Sequence, residues 1–213
     1  MKENIWYKIL VFSFFSSLCL AQQSPQEITD KVFEILKSGE DKDYIGEPIS
    51  QLEHALQCAK LAVDENMDDE TILAALFHDI GHLCAYNAES MAGYGVKEHE
   101  KIGAKFLEEL SFPDKIVQLV KSHVDAKRYL TFKNPEYFEK LSDASKRTLQ
   151  FQGGPMLAKE AQDFENDPLF RLKIFVRSCD EKAKLPNFQA PDLESYRNMC
   201  IKSLEKLIPV RSE

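Results

Sequence analysis

The chain is predicted to fold as a single all-α domain, and three observations predict it. Apolar residues recur at helical spacing in one segment after another. No segment alternates apolar and polar residues with the period of two that marks a half-buried strand. No linker rich in Pro, Gly or Ser divides the 213 residues, a length that suits one domain with its own core.

The elements follow in order. A first helix is expected over 26–38, where Ile28, Val32, Ile35 and Leu36 form an apolar stripe and Gly39 ends it. Residues 41–47 read as a polar loop. Pro48 suits a first helical turn, so a second helix is expected over 49–65, with Leu52, Ala55, Leu56, Ala59 and Ala62 on its apolar side. Asp68, Asp69 and Glu70 then supply carboxylates where a helix dipole favours them. The stretch Thr71–Phe77 is nearly all apolar, which predicts a helix buried on most sides. His78 and Asp79 end that helix, and Gly81 allows a sharp turn. Residues 84–96 read as a loop. Helices are expected over 98–110 and 113–123, broken at Ser111-Phe112-Pro113. The first carries His99 near its start and the second ends at His123. Residues 132–145 read as a loop with short helical turns, and Gln150–Pro155, with two glycines and a proline, as a turn. A short helix over 157–165, a longer one over 168–183 carrying Asp180, and an amphipathic one over 192–207 complete the domain.

Hydrophobic residues make up 44% of the chain and charged ones 29%, an ordinary soluble profile. The net charge of −8, with no long basic run, argues against a nucleic-acid partner. An anionic substrate would have to be drawn by a local site. The first residues differ from the rest. Lys2 and Lys8 precede an apolar run over 9–21 that is shorter than the roughly 20 residues of a membrane span. Its length, and Cys19-Leu20-Ala21 at its end, suit a cleaved signal peptide over 1–21, leaving 22–213 as the domain. That points to the secretory pathway or secretion, with the cytoplasm as the alternative. No stable membrane span is expected, and a monomer is compatible with the pattern. Cys58, Cys84, Cys179 and Cys200 permit disulfides by their even count, with buried free thiols the alternative. None forms a CxxC pair, which excludes the usual zinc–thiolate spacing.

The five histidines, His54, His78, His82, His99 and His123, all lie between residues 54 and 123. His54, the His78-Asp79 pair, His99, His123 and Asp180 each fall on or at the end of a predicted helix with apolar neighbours. A buried charge is costly unless paired or bound to metal. Several such groups meeting in one bundle is the arrangement that metal sites between helices use. Four imidazoles and two carboxylates are too many for one tetrahedral zinc, and fit two octahedral ions sharing a bridging carboxylate. Iron is the natural choice for such a set, with manganese and magnesium as alternatives.

His54, His78-Asp79 and Asp180 resemble the metal signature of the HD-domain superfamily of helical bundles, most of whose members are phosphohydrolases. The added His99 and His123 mark its two-metal subset. The stretches Tyr44-Ile45-Gly46-Glu47, 122–130 (SHVDAKRYL), 141–145 (LSDAS) and 150–156 (QFQGGPM), with Arg177, are similar to the HD-domain mixed-valent diiron oxygenases that cleave organophosphonates. The resemblance spans about 41–184. It implies that His54, His78, Asp79 and Asp180 hold one iron and that Asp79, His99 and His123 hold the other, with Asp79 bridging an Fe(II)/Fe(III) pair. It further implies that His82, Lys127, Arg177, Ser145 and Gln152 bind the phosphonate, with His78, Asp79, His82 and Lys127 at the chemistry. Tyr44 and Glu47 would form a gating loop, Tyr44 covering an open iron position and Glu47 meeting the substrate's ammonium. The implied reaction uses O2 to cleave the C–P bond of a 1-hydroxy-2-aminoethylphosphonate-type substrate, with a free amine or a trimethylamino group, releasing phosphate and glycine or glycine betaine. A quaternary ammonium prefers an aromatic cage, for which Tyr44, Tyr86, Tyr94 and Tyr129 are candidates. A metal-dependent phosphohydrolase acting on a small phosphate ester is the alternative. An inositol-cleaving type of oxygenase and a non-catalytic binding relative rank below it.

Overall fold

The computed structural model describes residues 23–44, 46–85 and 88–206. The expected signal segment over 1–21 and the cage candidate Tyr86 lie outside them. Among the described residues there are eleven α-helices and no strand. They are α1 (Pro25–Lys37), α2 (Gln51–Asp64), α3 (Asp69–Phe77), α4 (Gly81–Cys84), α5 (His99–Glu109), α6 (Asp114–Lys133), α7 (Pro135–Lys140), α8 (Asp143–Phe151), α9 (Ala158–Glu165), α10 (Phe170–Lys182) and α11 (Arg197–Glu205). A 3-10 turn, Leu193–Tyr196, leads into α11. None of the described helices is long and apolar enough to cross a membrane.

Helix α3 is the axis of the bundle. Asp68 caps it, accepting from the Thr71 backbone N–H, and every side chain from Thr71 to Phe77 is buried. It packs against α2, α6, α10 and α11. Apolar faces of α1, α5 and these neighbours close one large core around it, with Phe33, Phe77, Leu73, Leu76, Leu107, Ile116 and Leu119 almost fully buried. Each such side chain contributes about 1.5–3 kcal/mol by leaving water. A smaller cluster of Ala126, Tyr129, Met156, Ala161 and Phe164 ties the second half of α6 to α9.

Four expectations are corrected. Helix α2 begins at Gln51, and Pro48 precedes it. Ser50 accepts from the Glu53 N–H while Glu53 caps the Ser50 N–H in return, so the helix starts where this capping box closes. Helix α6 does not stop at His123 but runs to Lys133, because Val124, Ala126 and Tyr129 continue its buried face past the polar residues between them. Part of the expected loop over 132–145 is helical, with Asn134 capping α7 and Ser142 capping α8. Gly81 serves close packing rather than a turn. A Cβ there would sit 1.9 Å from the His99 carbonyl oxygen, so glycine lets α4 lie directly on α5.

Two isolated bridges, Asp43 with Ser50 and Ser90 with Val96, pin the loops before α2 and before α5. Cys58, Cys84, Cys179 and Cys200 are all free, which decides between thiols and bridges.

Candidate metal centre and adjoining cavity

Four helix ends and faces bring His54 (α2), His78 (after α3), His99 (first residue of α5) and His123 (α6) into one buried cluster. Each ring gives its Nδ1 to a backbone carbonyl: His54 to Ala183 at 2.7 Å, His78 to Ala75 at 2.8 Å, His99 to Val96 at 3.1 Å and His123 to Val120 at 2.8 Å. A carbonyl only accepts, so each Nδ1 carries a proton, and each ring in its singly protonated form turns a bare Nε2 lone pair inward.

Those lone pairs meet in twos. The Nε2 atoms of His54 and His78 are 3.1 Å apart, and those of His99 and His123 are 3.0 Å apart. Two acceptors cannot hydrogen-bond each other, so something positive belongs between them. Without metal a proton takes the place. Burial pushes the His78 imidazole down, but the charge of Asp79 and its hydrogen bond outweigh that and hold its pKa up at about 9.

Asp79 joins the two pairs. Its Oδ2 lies 3.6 Å from His54 Nε2 and 3.3 Å from His78 Nε2. Its Oδ1 lies 3.3 Å from His99 Nε2 and 3.4 Å from His123 Nε2. Asp180 Oδ1 adds a carboxylate oxygen 3.5 Å from His54 Nε2. Ligands about 2.1 Å from an ion and at right angles to each other stand about 3.0 Å apart, so these spacings suit ions between the donors. The donor set therefore fits two cations sharing Asp79, one with four protein donors and one with three.

His82 is built the opposite way. Its Nδ1 accepts the Val96 backbone N–H at 3.1 Å, which puts the proton on Nε2. Burial, then the neighbouring His99, pull its pKa down to about 3, so it stays neutral. It stacks on His99 with ring centroids 3.9 Å apart. Near the metal donors it offers an N–H rather than a lone pair. Cys58 Sγ lies 3.7 Å from His54 Nε2, but burial and the charge of Asp180 hold its thiol well above its ordinary range.

A cavity open to solvent at its mouth lies over the three-donor side. Its lining includes Tyr44, His82, Lys127, Ser145, Gln152 and Arg177, all anticipated from the sequence. Lys127 is almost fully buried with only Thr148 Oγ1 as a partner, at 3.0 Å. Burial first, then the charge of Arg177, pull its pKa to about 7. Arg177 donates through Nη1 to Asp180, and through Nε to Glu181 at 3.0 Å and the Tyr137 hydroxyl at 3.1 Å, and its Nη2 is buried without a partner. Gln152 Oε1 is also buried without a partner. Unsatisfied buried polar atoms facing one cavity are what a polar ligand would complete.

Tyr44 stacks on His54 at 3.8 Å between ring centroids, and its hydroxyl donates to Asp180 Oδ1 at 3.3 Å. It therefore lies against the four-donor side of the cluster. Glu47 does not line this cavity. It pairs with Lys184 at 3.2 Å and lines a neighbouring hollow with Tyr137 and Glu181. Of the aromatic-cage candidates, Tyr44 and Tyr94 face the cavity, whereas Tyr129 packs against Phe164 and Phe170. Asp180 pairs with Arg177. Thr148 and Lys184 escaped sequence reasoning as cavity residues. Thr148 carries no signal beyond its place on α8. Lys184 lies beyond the end of α10, where helical spacing from Asp180 no longer applies.

A helical bundle with four inward Nε2 atoms and a carboxylate shared between them defines a metal-binding helical domain. The HD domain family model matches residues 52–163. A [1-hydroxy-2-(trimethylamino)ethyl]phosphonate dioxygenase (glycine-betaine-forming) of Leisingera caerulea is 41% identical over 167 residues, 78% of this chain and 85% of that protein. A hydroxymethylphosphonate dioxygenase of Gimesia maris is 35% identical over 185 residues, 86% of this chain and 91% of that one. An uncharacterised protein of Acanthamoeba polyphaga mimivirus is 38% identical over 193 residues, 88% of either chain. The chain belongs to the HD-domain family, and to the branch of it that holds these two dioxygenases. The resemblance read from the sequence is borne out.

Proposed function

We propose that this protein is a diiron oxygenase that uses O2 to cleave the C–P bond of a small 1-hydroxyphosphonate, releasing phosphate and a carboxylate. One observation carries the reading: two pairs of facing imidazoles joined through Asp79, beside a cavity holding Lys127, Arg177 and the His82 N–H. The names of the two dioxygenase relatives point the same way.

Bound iron supplies the redox chemistry with O2 that these side chains cannot perform. The chain's own residues bind and orient. Lys127 and Arg177 carry the positive charge that a phosphonate dianion needs, and Arg177 Nη2 has its donor free for it. His82 Nε2–H, Ser145 and Gln152 add neutral contacts, and Thr148 holds the Lys127 ammonium in place. A phosphonate seated there presents C1 and its hydroxyl to the three-donor side. The overall reaction balances as R–CH(OH)–PO3²⁻ + O2 → RCOO⁻ + HPO4²⁻ + H⁺. The four electrons come from the C–H and C–P bonds of C1, and one new oxygen ends in each product. Lys127 and Arg177 then face the departing phosphate. The sequence reading places a free or trimethylated amine on C2, giving glycine or glycine betaine.

The same cations suit a phosphate monoester, which keeps an HD-domain phosphohydrolase as the second reading. Protein purified without chelator is expected to hold about two irons per chain and to release phosphate from a 1-hydroxyphosphonate only in air. A single zinc or magnesium, or equal turnover without oxygen, overturns the oxygenase in favour of the hydrolase.

A further inference from the structure

Beyond the phosphonate-facing groups, the cavity ends at a lysine. Lys184 Nζ lies 3.2 Å from Glu47 Oε1, 3.2 Å from Ser142 Oγ and 5.8 Å from the centre of the Tyr44 ring. A carboxylate, a hydroxyl and an aromatic face are the three contacts a substrate ammonium seeks. Here the chain's own ammonium already takes them. Lys184 borders both the cavity and the hollow beyond it, so it stands where the two meet.

Its position is held from both sides. The preceding carbonyl, Ala183 O, receives the His54 Nδ1–H at 2.7 Å. The following residue, Leu185, is tied to Gln57 twice, N–H to Oε1 at 3.1 Å and O from Nε2 at 3.0 Å. The backbone at Lys184 is thus bolted to α2 on either side, and its side chain is mostly buried, as is that of Glu47. Glu47 and Lys184 neutralise each other. Asp79 and Asp180 face the metal donors, and Arg177 already pairs with Asp180 and Glu181. A cationic tail would therefore find no free carboxylate among these residues, and it would have to displace Lys184 while leaving it close by as a like charge.

We infer that Lys184 fills the ammonium-binding end of the site, so that the enzyme takes 1-hydroxyphosphonates without a cationic group, of which hydroxymethylphosphonate is the smallest. This rests on the proposed oxygenase reading and narrows its substrate away from the aminated chains expected from the sequence.

The test compares hydroxymethylphosphonate, 1-hydroxy-2-aminoethylphosphonate and its trimethylamino analogue. Binding to the iron-loaded protein is measured by calorimetry without oxygen, and phosphate release is measured in air. The native chain is expected to bind and turn over hydroxymethylphosphonate at least about tenfold better than either ammonium-bearing phosphonate. Lys184→Met, which keeps the stem and removes the charge, should raise the ratio of ammonium-bearing to ammonium-free substrate about tenfold in both readouts. Lys184→Arg should leave that ratio as in the native chain. Should the methionine variant fail to fold, Glu47→Gln serves instead: it leaves Lys184 unpaired and should lower the ratio further. A native preference for either ammonium-bearing phosphonate, or a ratio unmoved by Lys184→Met (or by Glu47→Gln where the methionine variant does not fold), overturns the inference and leaves the oxygenase reading standing. If none of the three phosphonates binds or yields phosphate, the oxygenase reading fails and takes this inference with it.

Discussion

On one side of the cavity the metal-facing side chains stand on or beside α2, α3, α5, α6 and α10, helices that close the main core. On the other, Ser145, Thr148, Gln152 and Lys184 stand on the short helix α8 and on residues just past helix ends. The first side is set by backbone. Each imidazole is oriented by a carbonyl of the fold itself, three of them by the carbonyl three residues earlier. The second side is set by side chain against side chain, such as Lys184 with Glu47 and Lys127 with Thr148. A centre that must not move is built from what the bundle cannot change without unfolding. A wall that chooses substrates is built from parts that change one residue at a time.

That difference also explains what the sequence made legible. His54, His78, Asp79, His99, His123 and Asp180 stood out together, because metal-ligand residue types recurred on or at the ends of predicted helices with apolar neighbours, and the fold gathers them in one cluster. The helices themselves followed from periodicity, except where local chemistry competed. Ser50 outbid Pro48 for the start of α2, and the run Asp125 to Arg128 looked like an exit while α6 continued beneath it. Tyr129, one of the aromatic-cage candidates, lies instead in the Phe164 cluster, because a continuous α6 turns it there. Lys184 and Thr148 were not legible, because their partners lie 137 and 21 residues away and no spacing rule links them.

If the metal side is the rigid one, its largest effect should come from the residue that joins its halves. Asp79→Asn keeps the shape but gives up one charged oxygen between the two imidazole pairs. It is expected to lose at least half the bound metal and to lower kcat by at least the order of a thousandfold. Metal analysis and phosphate release check this together. Full metal content with near-native turnover would break the comparison at its strongest point.

A smaller effect is expected one step away from the ligands. Gly81→Ala places a methyl 1.9 Å from the His99 carbonyl oxygen, so α4 and α5 must separate. Overpacking of this kind costs about 3 kcal/mol. Chemical denaturation should show the lower midpoint, and metal content should fall because His99 moves with α5. A variant as stable as the native chain would mean that the metal side yields more easily than its packing indicates.

The smallest effect belongs to the opposite wall and is read from pH. Lys127 has its pKa lowered to about 7, by burial and by Arg177. It is therefore cationic below that pH and neutral above it, and a dianionic substrate loses one of its two positive partners as pH rises. The kcat/KM on a phosphonate should fall above pH about 7, at the limit tenfold per unit. The substrate's own ionisation acts in the same range, so the native profile alone does not isolate the lysine. Lys127→Arg separates the two, since a guanidinium stays charged throughout. Both enzymes see the same substrate ionisation, and the ratio of native to variant kcat/KM should decline from pH 6 to 9 for Lys127 alone. A flat ratio would mean that Lys127 keeps its proton in the working enzyme, leaving Arg177 and Lys127 equal and permanent partners of the anion.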